Sequence, residues 1–156
     1  MAAGSKVELQ VAFLYQFTNY IEWPTKLQSG DFVIGVAGGG AAKAGLLQHL
    51  ETLASERKVA GRSIVVRDVG EGEPLSGIHL IILGGGDSKL LASIARRSKG
   101  APCVIVAEIP GSAEKGASIG FFEERGRLRF EINRKEIEQR GLRVDSRLLG
   151  LARVVE

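Results

Sequence analysis

Two glycine-rich stretches have the residue types and spacing to hold an anion. Gly35-Val-Ala-Gly38-Gly39-Gly40-Ala-Ala-Lys43 leads from an apolar run into a helical one, and such a turn aims backbone N–H groups and a helix N-terminus at a phosphate. The match to known phosphate loops is incomplete. Ala41 follows Gly40 where lysine is required, Lys43 precedes Ala44 rather than Ser or Thr, and no third glycine completes a dinucleotide fingerprint. Gly38, Gly39, Gly40 and Lys43 are therefore a candidate anion-binding turn, with a plain tight loop as the more ordinary reading. Gly84-Gly85-Gly86-Asp87 repeats the pattern, but Asp87 or Ser88 there reads as a helix cap, and an aspartate at that place repels an anion.

Other chemistry finds little support. His49 lies in a helical run and His79 in a strand, without the Cys, His or Asp spacing of a metal site. The serines are scattered, and none is read as a catalytic nucleophile. Glu123-Glu124 is a carboxylate pair only by being adjacent at a turn. No catalytic residue, metal or cofactor is expected. Arg127, Arg129 and Glu131 share one strand face. They read either as a solvated charge ladder or, for Arg129, as a fork that meets a carboxylate or phosphate in a pocket. Tyr20, Glu22 and Trp23 join aromatic rings to a carboxylate. Core packing is the main use of such rings, and a partly open Trp23 would anchor a partner.

The elements that must position these residues alternate along the chain. Lys6 to Tyr20 reads as a helix with a broad apolar face, closed by Trp23-Pro24. Phe32 to Val36 is apolar on both faces, as an interior parallel strand is. A helix over Ala41–Ala54, a strand over Ser63–Arg67, a Gly/Glu/Pro-rich loop over Gly70–Gly77, and a buried strand over Ile78–Leu83 follow. A helix over Leu90–Ser98 and a strand over Val104–Ala107 complete the alternation. Connections too long for hairpins imply crossovers. The last forty residues change the pattern: two strands joined at Arg125-Gly126, a short helix capped by Asn133 and ended by Gly141, and a last helix begun by Asp145. Val144, Leu148, Leu151 and Val155 form the stripe of that last helix. The expected fold is α/β, a mostly parallel central sheet flanked by helices, with a C-terminal antiparallel hairpin at one edge and two short closing helices.

A chain of 156 residues, 44% hydrophobic and 25% charged, has the size and composition of one soluble domain. Its net charge of +3 and few aromatics give no footprint for nucleic acid. No apolar stretch approaches the ~18 residues a membrane span needs. Cys103 is the only cysteine, so no internal disulfide forms, and its apolar neighbours make it a buried strand residue. Residues 1–5 read as a leader remnant or appended residues, and 6–156 as a single domain.

Two long stretches then resemble the YfiR-type family. Val11-Ala-Phe-Leu-Tyr-Gln-Phe-Thr-Asn-Tyr-Ile-Glu-Trp-Pro24 is similar to the family's opening A-F-L-Y-x-F-x-x-(F/Y)-x-x-W-P signature. Gly116, Ile119, Phe121, Arg129 to Asn133, Gly141-Leu142, Ser146, Leu148-Leu149, Leu151-Ala152 and Val154-Val155 follow its closing pattern. Between them, Gly61-Arg62-Ser-Ile-Val-Val fits its G-(R/K)-x-(I/V)-x-V strand start. The resemblance implies an exported, non-enzymatic, dimeric regulator in the periplasm. Such a protein represses an inner-membrane diguanylate cyclase by binding its periplasmic domain, tuning cyclic di-GMP and biofilm formation. The chain departs from the family in two ways. Ile78 begins a strand where many members carry cysteine, and the two glycine runs are richer than the family's. The second departure keeps open a small-ligand sensor of the same fold, for an anion or nucleotide. Glu22, Trp23, Arg62 and Arg129 are the residues assigned to a partner or ligand.

Overall fold

The computed structural model of the chain describes residues 3–24 and 27–155, with side chains from residue 6. Residues 1 and 2, part of the stretch read as a leader remnant, lie outside the described residues, and Ala3 already opens the first helix. Helix α1 spans Ala3–Tyr20 and hands over directly to a two-residue strand, β1 (Ile21–Glu22). Ile21 thus lies in a strand immediately after the helix. The reason is tertiary: β1 pairs antiparallel with β9 (Arg143–Val144), Glu22 opposite Arg143, and the Asp145 N–H donates to the Tyr20 carbonyl at 2.8 Å.

The main sheet has eight strands. In chain order its members are β2 (Phe32–Gly38), β3 (Lys58–Val59), β4 (Arg62–Asp68), β5 (Leu80–Gly84), β6 (Val104–Ala107), β7 (Ile119–Glu124), β8 (Arg127–Asn133) and β10 (Arg153–Val155). Across the sheet they lie β10-β8-β7-β6-β5-β2-β4-β3. The central run from β4 to β7 is parallel, as strands apolar on both faces require. Two hairpins complete it. The β7–β8 turn puts Arg125 and Gly126 at φ 53° and 75°, the left-handed pair that matches strand twist. Ala60 and Gly61 do the same between β3 and β4, a hairpin with too few strand residues to be read in advance.

Helices α2 (Gly40–Glu56) and α1 cover one face, where Leu14, Phe17, Leu46 and Leu50 meet Phe32, Ile34, Ile82 and Phe130. Helix α3 (Ser88–Arg97) covers the other through Leu91 and Ile94. Short helices α4 (Arg134–Gln139) and α5 (Ser146–Leu149) start where Asn133 and Asp145 accept backbone N–H bonds from Glu136 and Arg147, the capping expected of those residues.

The last helix is shorter than its stripe predicts. It stops at Leu149, Leu151 is left 56% exposed, and Arg153–Val155 instead pair in parallel with Glu131–Asn133 of β8. Unpaired backbone on β8 offers hydrogen bonds to any neighbouring extended segment, and consecutive valines suit a strand. The hairpin consequently ends one strand in from the edge.

Candidate functional site

A concentration of recognition groups surrounds the junction of α1, β1 and β9. Here Glu22, Trp23, Phe32, Arg62, Arg143 and Asp145 line a cleft of about 620 Å³. Each arrives from a different constraint. Glu22 projects from β1 opposite Arg143. Arg62 opens β4 just after the Ala60–Gly61 turn. Asp145 is held as the α5 cap and is paired with Arg147 at 2.8 Å. Hydrogen bonding and charge from Arg147 keep the Asp145 carboxyl down at about 2, so it is ionised at any physiological pH.

Arg62 is partly a structural residue. Its Nε donates to the Gly30 carbonyl at 2.8 Å, and its Nη2 to Asp31 and Ser29 at 3.2 and 3.3 Å. Its guanidinium carbon stands 5.5 Å from the centre of the Phe32 ring, and the Phe32 ring stacks on His79 at 4.7 Å. Burial first and then the neighbouring Arg62 lower the His79 pKa. The Val33 N–H donates to His79 Nδ1 at 3.1 Å, which places the ring proton of the neutral form on Nε2.

Trp23 is not the half-open anchor considered above. It is 5% exposed, its Nε1 donates to the Pro102 carbonyl at 3.1 Å, and its ring meets Phe32 edge-on at 5.1 Å. A buried indole needs a partner for its N–H, and Pro102 supplies it. Trp23 therefore forms the cleft's floor.

Three of the four residues assigned to a partner converge here; the fourth does not. Arg129 lies on the outer face of the hairpin, paired with Glu124 at 2.8 Å and 5.9 Å from the centre of the Phe122 ring. That is the charge ladder, continued by Arg153 on Glu131 at 2.7 Å.

The glycine turn is a close-packing device. A Cβ on Gly38, at φ 106°, would lie 2.1 Å from the Gly84 carbonyl oxygen, and one on Gly84 would lie 2.8 Å from Lys43 Cα. The Gly39 N–H is spent on the Gly84 carbonyl at 3.0 Å. Lys43 reaches Asp68 at 2.6 Å and the Val69 carbonyl at 3.1 Å, so its charge ties α2 to the end of β4. The four-residue anion cradle is thereby corrected: its cation is used elsewhere, and Gly38 admits close backbone contact, whereas Gly39 and Gly40 meet nothing within 4 Å.

Two functional-looking residues escaped the sequence reading. Arg143 sits in a strand too short to show a period. Arg140, 5% exposed, donates to the Ser98 and Ala101 carbonyls at 2.7 and 3.1 Å and pairs with Glu136; its role is to tie α4 to the end of α3. The Arg140–Glu136 spacing of four was a visible signal, but its burial was not. Among the described residues no group of His, Cys, Asp and Glu could hold a metal ion.

The cleft can therefore recognise: it offers an apolar floor, two guanidinium groups and two carboxylates. The Thr18 hydroxyl at its wall donates to the Tyr15 carbonyl at 2.6 Å and is committed to the helix. In comparison with known proteins, residues 7–153 match the family described as YfiR/HmsC-like. No curated protein matches.

Proposed function

The chain belongs to the YfiR/HmsC-like family, and on that premise we propose that it is a non-enzymatic periplasmic regulator that represses a membrane-anchored diguanylate cyclase. The family match over almost the whole chain carries this reading. The geometry supports it through the Glu22–Arg62–Arg143–Asp145 cleft, whose charges of both signs over an apolar floor suit a protein partner better than a reacting substrate. No helix among the described residues is long and apolar enough to cross a membrane. On this reading the protein meets the cyclase at the cyclase's periplasmic domain. It acts as a homodimer, and release of the cyclase raises cyclic di-GMP and favours biofilm. The test is deletion of the gene together with capture of membrane proteins on the tagged protein. The expected result is higher cyclic di-GMP and recovery of a cyclase through its periplasmic domain. Unchanged cyclic di-GMP with no membrane cyclase recovered overturns the proposal.

A further inference from the structure

One crossover departs from the pattern of the fold. From β4 to β5 the chain returns along the sheet face as a loop, Val69 to His79, without a helix, whereas the next crossover on that face carries α3. The loop is thinner than a helix, and a recess of about 400 Å³ remains between it and α3. Small or slim groups, Ala37, Gly38 and Val69, leave the space open beside Ile94.

Its place in the topology is distinctive. From β2 the chain crosses first to β4 on one side and then returns to β5 on the other. The recess lies beside the carboxyl ends of β2 and β5, at the point where strand order reverses. In open α/β sheets, that crevice is where ligands bind.

The rim supplies charge. Lys89, Ser93 and Arg97 recur every fourth residue along α3 and all line the recess, on one helix face about 12 Å from first to last. The Lys89 N–H donates to the Asp87 cap at 3.1 Å, and its ammonium has no hydrogen bond or ion pair among the described residues. Arg97 spends only Nη1, on the Glu73 carbonyl at 3.0 Å. Glu71 on the opposite rim is the single carboxylate of the lining. Two cations against one anion leave the recess net positive.

We propose that this recess is a second binding site, distinct from the Glu22–Arg143 cleft, for a small organic anion. The acidic group sits between Lys89 and Arg97 within reach of the Ser93 hydroxyl, and the apolar body lies on Leu90, the partly exposed apolar side chain of the lining. A guanidinium fork and an ammonium above an apolar floor bind an anion more strongly than the same groups in open water. Gly38 keeps a place in this site as part of its wall; Lys43 has none.

The probe is phenyl phosphate, titrated into the 15N-labelled full chain, with inorganic phosphate and phenol as separate arms. Phenyl phosphate is expected to shift the Gly38, Gly86 and Ser93 amides saturably, inorganic phosphate to shift the same amides more weakly, and phenol to leave them in place. Lys89→Glu, at a side chain with no bond to lose, and Lys89→Ala/Arg97→Ala are each expected to weaken phenyl phosphate by about tenfold or more. Wild-type affinity in both variants overturns the proposal. So does saturation at Arg62 and Arg143 instead, phenol binding as tightly as phenyl phosphate, or no saturable shift at millimolar concentration. None of these outcomes depends on whether a cyclase is the partner.

Discussion

Arg62 Nη2 lies 3.3 Å from His79 Nε2, and this contact joins the cleft wall to the start of the sheet. Because the Val33 N–H already points at Nδ1, a second ring proton there would face a donor, and the charged ring would lie against the Arg62 guanidinium. Burial adds to the penalty. The neutral ring is part of the folded state.

Stability should consequently fall as pH drops below the ordinary histidine value of 6.5. With the folded pKa lowered, the unfolded chain binds more protons between 6.5 and the lowered value, so stability is full above 6.5 and declines through that window. Urea midpoints measured from pH 7.5 to 5 should show this slope. His79→Gln, which can still accept from Val33, should flatten it; an unchanged slope would assign the effect to another group.

Arg140 is expected to be among the costliest single positions outside the apolar core. Arg140→Ala leaves Glu136 without its cation and removes the guanidinium from the Ser98 and Ala101 carbonyls, which keep only their backbone donors, the Ala101 and Cys103 N–H groups. Removing one partner of a fully buried pair costs about 3–5 kcal/mol, and because the Glu136 side chain is 24% exposed the expected loss is smaller, about 2 kcal/mol. Arg140→Lys should recover only part of this, because one ammonium cannot reproduce a fork. Chemical denaturation of the three proteins decides it, and a loss under about 1 kcal/mol for Arg140→Ala would contradict the network.

Gly38 and Gly39 should behave differently although they are adjacent. Alanine at Gly38 meets the Gly84 carbonyl oxygen in a left-handed conformation, whereas alanine at Gly39 meets nothing within 4 Å, and the Gly39 backbone is extended at φ −172°. Gly38→Ala should lower stability by about 2 kcal/mol or more, and Gly39→Ala by no more than about 1 kcal/mol. Equal midpoints in denaturation would remove the close-approach argument.

What could be read in the residues depended on how local its cause was. The caps at Asp87, Asn133 and Asp145 involve bonds within three residues, and each was legible. So were β2, β5 and β6, whose unbroken apolar runs admit few places other than the middle of a parallel sheet. Strands β1, β9 and β10 were not, because two or three residues become a strand only when a distant partner is present. Ile21 meets Val144, and Val154 meets Ile132. The stripe Leu148–Leu151–Val155 satisfied a helical period that the β8 edge overrode.

The same division holds for the cleft. Glu22, Trp23 and Arg62 were singled out separately, and the fold brings them together across forty positions. Arg143 joins them only through β1–β9 pairing, which no local pattern announces. Lys43 was misjudged because its attraction to Asp68 is a tertiary fact. No spacing rule within the turn contains it.

Cys103 should be chemically silent in the folded protein. It is 3% exposed, and burial pushes its thiol up to about 12, which removes both access and the thiolate that reacts. A disulfide-exchange reagent at pH 8 should label it only after denaturant is added. Rapid labelling of the native protein would reopen a bridge between chains, and Cys103→Ala should leave regulation by the protein unchanged.

The cleft's place in the proposed regulation is tested by charge, with Arg129 as the internal control. Glu22 and Arg143 face each other across two short strands at the exposed rim, so reversing either alters what a partner meets without emptying the core. Exposed charges contribute on the order of 1 kcal/mol or less to stability, and Glu22→Arg and Arg143→Glu should remain folded. A partner held by complementary charge loses several-fold to about a hundredfold in affinity when one sign is reversed. Each variant is therefore expected to raise cyclic di-GMP toward the level of the deletion strain. Arg129→Ala, on the far ladder and outside the cleft, should repress as the unaltered protein does. If the two reversals repress normally while Arg129→Ala does not, the contact surface lies on the outer face of β7 and β8, and the cleft is not where the cyclase binds.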